Sequence, residues 1–260
     1  MIVKKELVYP SKKEMRRIHV YLPDDYYETD ERYPVMYFFD GHNLFSDSDA
    51  TYGKSWGLKD FLDNYSKMFL VVGLECGHNG NERLSEYCPY TLETSWWGHI
   101  EGLGDETMRW ILEDIKPTVD NELRTYSFRE ATAIGGSSMG GLMALYAGIK
   151  YSDIFSKCAC LSSAVGFCMD SLKATLRAAD IHHDTKFYMS WGTEEAGGTS
   201  DNPENDMKSQ TALNNRTISE LINLKGGWTK LFCQRYGSHC EADWEKQVPL
   251  FMDYLWYDIY

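Results

Sequence analysis

The sequence predicts an α/β architecture, a mostly parallel central sheet flanked by helices on both faces. Three observations carry it. Short apolar runs without alternation recur along the chain, as strands buried on both faces do. Stretches with helical spacing of apolar residues lie between them. The 260 residues, 43% hydrophobic and 14% aromatic, suffice for one large core. No linker-like shift in composition and no internal repeat divides the chain, so a single domain over residues 1–260 is expected.

The elements follow in order. Ile18-His-Val-Tyr-Leu22 alternates and stops at Pro23, as a strand does. Tyr33 to Phe39 is a continuous apolar and aromatic run ended by Asp40-Gly41, and Phe69 to Leu74 reads the same way. Tyr90 to Gly104 is a polar insertion, around 90–104, that reads equally as a lid. Asp105 is placed to cap a helix with Met108, Ile111, Leu112, Ile115 and Val119 on one face, which Pro117 should kink or end. Thr132-Ala-Ile134 is a short strand running into glycines, and Met139 to Lys150, rich in Ala, Leu and Met, is the helix after it. Cys158–Leu161, Phe187–Trp191 and Lys230–Cys233 complete the strands. Asn214–Leu224 puts Ile218, Leu221 and Ile222 on one stripe, and Trp244 to Tyr260 reads as a last helix interrupted by Pro249.

Charge and composition exclude some functions. With 26 basic against 39 acidic residues the net charge is −13, which repels phosphate backbones and anionic lipid, so no nucleic-acid or membrane partner is expected. No apolar run approaches the roughly 18 residues of a bilayer span, and Met1 to Tyr21 lacks the apolar centre of a secretory signal. The seven cysteines are odd in number and lack C-x-x-C spacing, so neither a disulfide framework nor a zinc site is expected; a reducing, cytoplasmic setting fits.

The chemistry centres on Gly136-Ser137-Ser138-Met139-Gly140, a G-x-S-x-G between a strand and a helix. The serine of such a motif stands at the apex of a sharp strand-to-helix turn. The residues two before and two after it crowd each other, which demands glycine at both. The helix N-terminus and the Met139 amide are positioned to hold an oxyanion. Ser138 is therefore the candidate nucleophile, in an α/β-hydrolase fold.

A serine hydroxyl needs a histidine base, and the chain has seven histidines. The order nucleophile, acid, histidine leaves His182, His183 and His239. His182-His183 lies in the polar stretch 179–184 and reads as a solvated loop. His239 follows the strand at 230–233 and precedes the last helix, where the fold places its base. The acid belongs on the loop after the preceding strand. The spacing from Gly192 in Gly192-Thr-Glu-Glu195 selects Glu195, with Glu194 as the alternative. Its role would be to orient His239 and stabilise the imidazolium.

These pieces resemble the putative-esterase family, which includes esterase D, the enterochelin esterases, mycolyltransferases and feruloyl-type carbohydrate esterases. The resemblance rests on Tyr33–Asn43, Asn81–Pro89, Gly135–Tyr146, Gly192–Glu195 and Gly237–Trp244, and runs in order from about residue 15 to 255. It implies a catalytic Ser138, His239 as base, an acid near Glu195, and a second oxyanion amide near Gly41 or His42. Asp40 stands where many members have histidine; the backbone amide is what acts there, so the change is tolerable. Arg83, Glu86 and Tyr87 fall in a recurrent family segment, where Arg83 either meets substrate or sits in a structural salt bridge. Trp96 and Trp97 either form a platform for a sugar or aromatic acyl group or plug a lid onto the core. Trp244 is expected to pack the last helix.

The expected activity is that of a serine carboxylesterase working through an acyl-enzyme, on a small-molecule or carbohydrate ester such as an acyl or feruloyl sugar. A siderophore trilactone esterase and an S-formylglutathione hydrolase are alternatives, as is a silent hydrolase-fold binding protein, which would have no need of an intact Ser-acid-His set. No metal or organic cofactor is called for. Assembly into a homo-oligomer is compatible with the sequence.

Overall fold

A computed structural model describes residues 1–95, 97–195 and 206–257. The chain divides into two compact units, Met1–Ala133 and Ile134–Tyr260.

The first unit opens with an antiparallel pair, β1 (Ile2–Tyr9) and β2 (Glu14–Tyr21), with Ile2 opposite Tyr21 and Tyr9 opposite Glu14. β3 (Val35–Phe39) and β4 (Leu70–Leu74) are buried at every residue and pair in parallel, giving the order β1-β2-β4-β3. β2 meets β4 antiparallel, so the antiparallel pairings of the mostly parallel sheet lie at its β1-β2 end. β1 itself escapes the sequence pattern because it is mostly solvated and its lysines and glutamate break the apolar run.

Between the strands lie two short helices, α1 (Leu58–Asp63) and α2 (Glu82–Glu86). The insertion at 90–104 carries a small antiparallel hairpin of its own, β5 (Leu92–Thr94) and β6 (Gly98–Ile100). Amides of Leu103 and Gly104 bond to the Ser85 and Cys88 carbonyls at its base.

The next helix corrects one expectation and narrows another to one of its two alternatives. It starts at Gly104, with Leu103 at the cap position and no side-chain cap, so Asp105 lies inside the first turn rather than capping it. Nor does Pro117 end it. α3 (Gly104–Trp110) widens into a π-turn at Ile111–Ile115 and resumes as α4 (Lys116–Glu122), with Pro117 in the first turn after the widening. Proline inside a helix lacks an N–H and clashes with the carbonyl four residues back; the π-turn supplies the slack.

β7 (Thr132–Ser137) begins at the end of the first unit and leads into the second, where the order is β7-β8-β9-β10. β8 (Lys157–Leu161), β9 (Lys186–Gly192) and β10 (Trp228–Gln234) run parallel, with Leu161 opposite Ser190 and Gln234 opposite Gly192. α5 (Met139–Lys150), buried at every residue but the last, packs on β8. α6 (Met169–Ala178) and α7 (Gln210–Leu224) follow, the latter capped by the Ser209 hydroxyl, which accepts from the Ala212 amide. The expected last helix is two: α8 (Glu241–Glu245) and α9 (Val248–Tyr257). Pro249 sits in the first turn of α9, where its missing N–H costs nothing. Among the described residues no helix is long and apolar enough to cross a membrane.

Candidate active site

In α/β sheets of parallel strands, chemistry collects beyond the carboxyl ends of the strands. In the second unit four loops leave such ends, and each delivers one polar side chain.

Between β7 and α5 the chain turns at Ser138, with φ 57 and ψ −123. A non-glycine residue there costs about 1–3 kcal/mol and persists only where its surroundings enforce it. They do: the Ser138 amide donates to the Leu161 carbonyl at 3.0 Å, and the Ser138 carbonyl accepts from Leu142 and Ala164 at 3.0 and 3.1 Å. A Cβ on Gly136 would stand 2.7 Å from the Gly140 carbonyl carbon, which is the crowding the motif's glycines relieve. Ser138 is part-exposed at the head of a 12-residue helix, and the first amides of that helix, Met139 included, have no partner within it.

Glu195 follows β9. Its Oε1 accepts from the Gly192 amide at 2.8 Å and from the Ser162 hydroxyl at 2.5 Å, while Oε2 lies 3.1 Å from His239 Nδ1. Glu194 faces elsewhere: its Oε2 accepts from the Ser238 hydroxyl at 3.1 Å. Of the two neighbouring carboxylates, Glu195 alone is paired with His239, and Glu194 steadies the loop that carries it. His182 and His183 stack on each other, and His182 pairs with Asp184 at 3.7 Å, as a surface loop does.

The His239 loop is held at several points. Gly192 lies so close to it that a Cβ would stand 2.1 Å from the Gly237 carbonyl oxygen. The Glu194 amide donates to that same carbonyl at 3.0 Å. Asp243 accepts from the Ser238 amide at 2.8 Å, from Gln234 Nε2 at 2.9 Å and from Lys246 Nζ at 2.6 Å. Burial alone would raise the Asp243 pKa, but the Lys246 ammonium and the Ser238 amide outweigh it and hold the carboxyl below its usual range. The His239 ring remains 45% exposed, against 10% for Glu195, so it is open to a reactant on one side and anchored on the other. Trp244 meets it edge-on at 5.1 Å and donates from Nε1 to the Ser162 hydroxyl at 2.9 Å. Ser162 and Asp243 were not singled out in the sequence. Ser162 is one residue past a strand, which is a weak signal, and Asp243 shares the segment that carries Trp244.

The remaining candidates lie in the first unit. Gly41 and His42 open a single 3-10 turn after β3, led by Asp40 in the left-handed region at φ 58. A Cβ on Gly41 would stand 2.3 Å from the Gly73 carbonyl carbon, so only glycine fits. The His42 ring is buried, bonds Thr51 Oγ1 at 2.9 Å and meets His78 edge-on; burial lowers its pKa. Arg83 takes the second of its two expected roles. Its Nε and Nη2 both reach the Asp40 carboxylate at 2.7 Å, and its guanidinium lies 5.4 Å from the Tyr87 ring centre. Burial would raise the Asp40 pKa; the Arg83 charge reverses this and holds it low. Trp97 is 38% exposed, and Trp96 lies outside the described residues. Among the described residues no group of three or more His, Cys, Asp or Glu side chains converges as a metal site would.

The family model described as putative esterase matches residues 10–251. An esterase of Mycobacterium tuberculosis is 31% identical over 142 residues, 54% of this chain and 27% of that protein, so this chain corresponds to about a quarter of it. Among solved structures, an IroE-like serine hydrolase from Shewanella oneidensis superposes with a TM-score of 0.73 at 21% identity, over 98% of this chain and 81% of that one. The enterobactin esterase FES from Shigella flexneri, solved with enterobactin, gives 0.69 at 15% identity, over 100% of this chain and 60% of the other. With the family match running nearly end to end, the chain belongs to the putative-esterase family and is a serine ester hydrolase of α/β-hydrolase fold.

Proposed function

We propose that the protein hydrolyses carboxylic esters by two-step acyl transfer through Ser138, His239 and Glu195. The observation that carries this reading is His239 Nδ1 set 3.1 Å from Glu195 Oε2, in the same compact unit as the strained turn at Ser138. Glu195 keeps the Nδ1 proton of His239 and leaves the lone pair on Nε2 to act as base. Ser138 Oγ attacks the ester carbonyl while Nε2 takes its proton. The Met139 amide at the head of α5 holds the oxyanion. Collapse of the tetrahedral intermediate expels the alcohol, which receives the proton from His239. Water, deprotonated by His239, then attacks the acyl-enzyme and frees the acid and Ser138. Losing one oxyanion donor costs about 2.7–4 kcal/mol in such sites.

The substrate proposed is an acyl or feruloyl ester of a carbohydrate. A second reading, a siderophore trilactone esterase, is favoured by the likeness of fold to the Shigella enzyme. The net charge of −13 weighs against an anionic substrate. An ester panel decides between them: acetate to feruloyl acyl groups, alkyl to sugar alcohols, a catecholate trilactone and S-formylglutathione. Highest kcat/KM on feruloyl or acetyl sugars supports the first reading, and on the trilactone the second. The mechanism is tested on p-nitrophenyl acetate. Turnover should vanish in Ser138→Ala and after a serine-directed phosphonate; turnover that survives Ser138→Ala refutes it.

A further inference from the structure

Ser162 takes no part in the steps above, yet it occupies a demanding position. It follows β8 with φ 43, left-handed for a residue with a Cβ, and its amide is pinned to the Ser190 carbonyl at 2.9 Å. The hydroxyl lies between Trp244 Nε1, at 2.9 Å, and Glu195 Oε1, at 2.5 Å. An indole N–H can only donate. Ser162 Oγ therefore accepts from Trp244, and its single proton is left for Glu195. The order of donation is set by chemistry: Trp244 to Ser162 to Glu195.

The consequence falls on His239. Oε1 of Glu195 takes two donors, the Ser162 hydroxyl and the Gly192 amide, while Oε2 takes His239 Nδ1. A carboxylate loaded in this way cannot rotate without breaking three bonds at once, and hydrogen bonds to a charged acceptor are the strong ones. Trp244 also abuts the imidazole edge-on, so one indole steadies the base directly and the acid through Ser162.

We propose that Trp244 and Ser162 form a donor relay that locks Glu195 in the rotamer that orients His239. Both are positioning residues for ester hydrolysis. The inference rests on the Ser138, His239 and Glu195 reading and adds to it why a serine is held at a backbone angle that suits glycine.

The test uses the full chain and p-nitrophenyl acetate. Ser162→Gly removes the hydroxyl and meets no steric cost at φ 43. Its kcat should fall about ten- to a hundredfold, the equivalent of one charged hydrogen bond, with KM within about twofold. Trp244→Phe keeps a ring but no donor, and its kcat should fall about three- to tenfold at unchanged KM. Because the two act as one unit, the double variant should be no slower than Ser162→Gly alone. Ser163→Ala is the control: the Ser163 hydroxyl, next in the chain, has no hydrogen-bond partner among the described residues, and its loss should leave kcat unchanged. A folded Ser162→Gly with parental kcat, or losses that multiply in the double variant, overturns the relay. Should Ser162→Gly fail to fold, Trp244→Phe alone decides, and a parental kcat there overturns it. Ser138→Ala run alongside separates the two ideas. If it retains activity, the mechanism fails and the relay with it; if it is dead while Ser162→Gly runs at the parental rate, only the relay fails.

Discussion

Two carboxylates, each within three residues of the end of a buried strand, have opposite surroundings. In the first unit Asp40 gives both oxygens to the Arg83 guanidinium, with the Cys76 thiol as a further donor at 3.7 Å. In the second unit Glu195 gives one oxygen to neutral donors and the other to an imidazole that is 45% exposed. The first is closed: a bidentate ion pair neutralises the charge and leaves it nothing to do. The second is open, because its partner's ring stays partly exposed. A carboxylate at a strand end acquires a role from its partner, not from its own position.

The sharpest break of the comparison is neutralisation of each acid in turn. Glu195→Gln should lower kcat on p-nitrophenyl acetate by about four orders of magnitude, since an amide no longer selects the right imidazole tautomer. Glu194→Gln should stay within about threefold, because it loses a bond to a loop hydroxyl only. Equal losses in the two would dissolve the distinction between them.

Asp40→Asn should act on stability instead. Asn tolerates the left-handed backbone there, so the change isolates the charge. Leaving Arg83 unpartnered should cost about 3 kcal/mol, the low end for a buried pair because Arg83 keeps some solvent. The Asp40 pKa is depressed in the folded state. Its contribution is therefore complete above the unfolded-state value of about 4 and is lost as pH falls through the lower native value. The gap in melting temperature between parent and Asp40→Asn should be full at pH 7 and close on acidification below about pH 4. A gap that widened in acid would contradict this account of the pair.

A smaller effect is expected from Gly192→Ala. The new methyl must displace the Gly237 carbonyl, costing about 1–3 kcal/mol by thermal melting, and the shift reaches His239 two residues on, so kcat should drop as well. His183→Ala should change neither stability, beyond about 0.5 kcal/mol, nor turnover. A large loss of activity there would move the base away from His239.

Much of the fold was legible because it depends on local pattern. β3, β4, β8 and β9 are buried on both faces and so read as unbroken apolar runs. β1 was not legible, because a solvated strand of mixed charges looks like a polar leader. The length of the helix through Pro117 was not legible either, since a π-turn depends on packing that no residue code announces.

The strand, the glycines and the helix around Ser138 are contiguous in the chain, so their sterics alone specify a sharp turn there. Which glutamate meets His239, whether Arg83 is free or bound, and what holds Glu195 in place are matters of partners 33 to 82 positions apart. A hydrogen bond forms over about 3 Å, and only the folded backbone brings such distant groups within that reach.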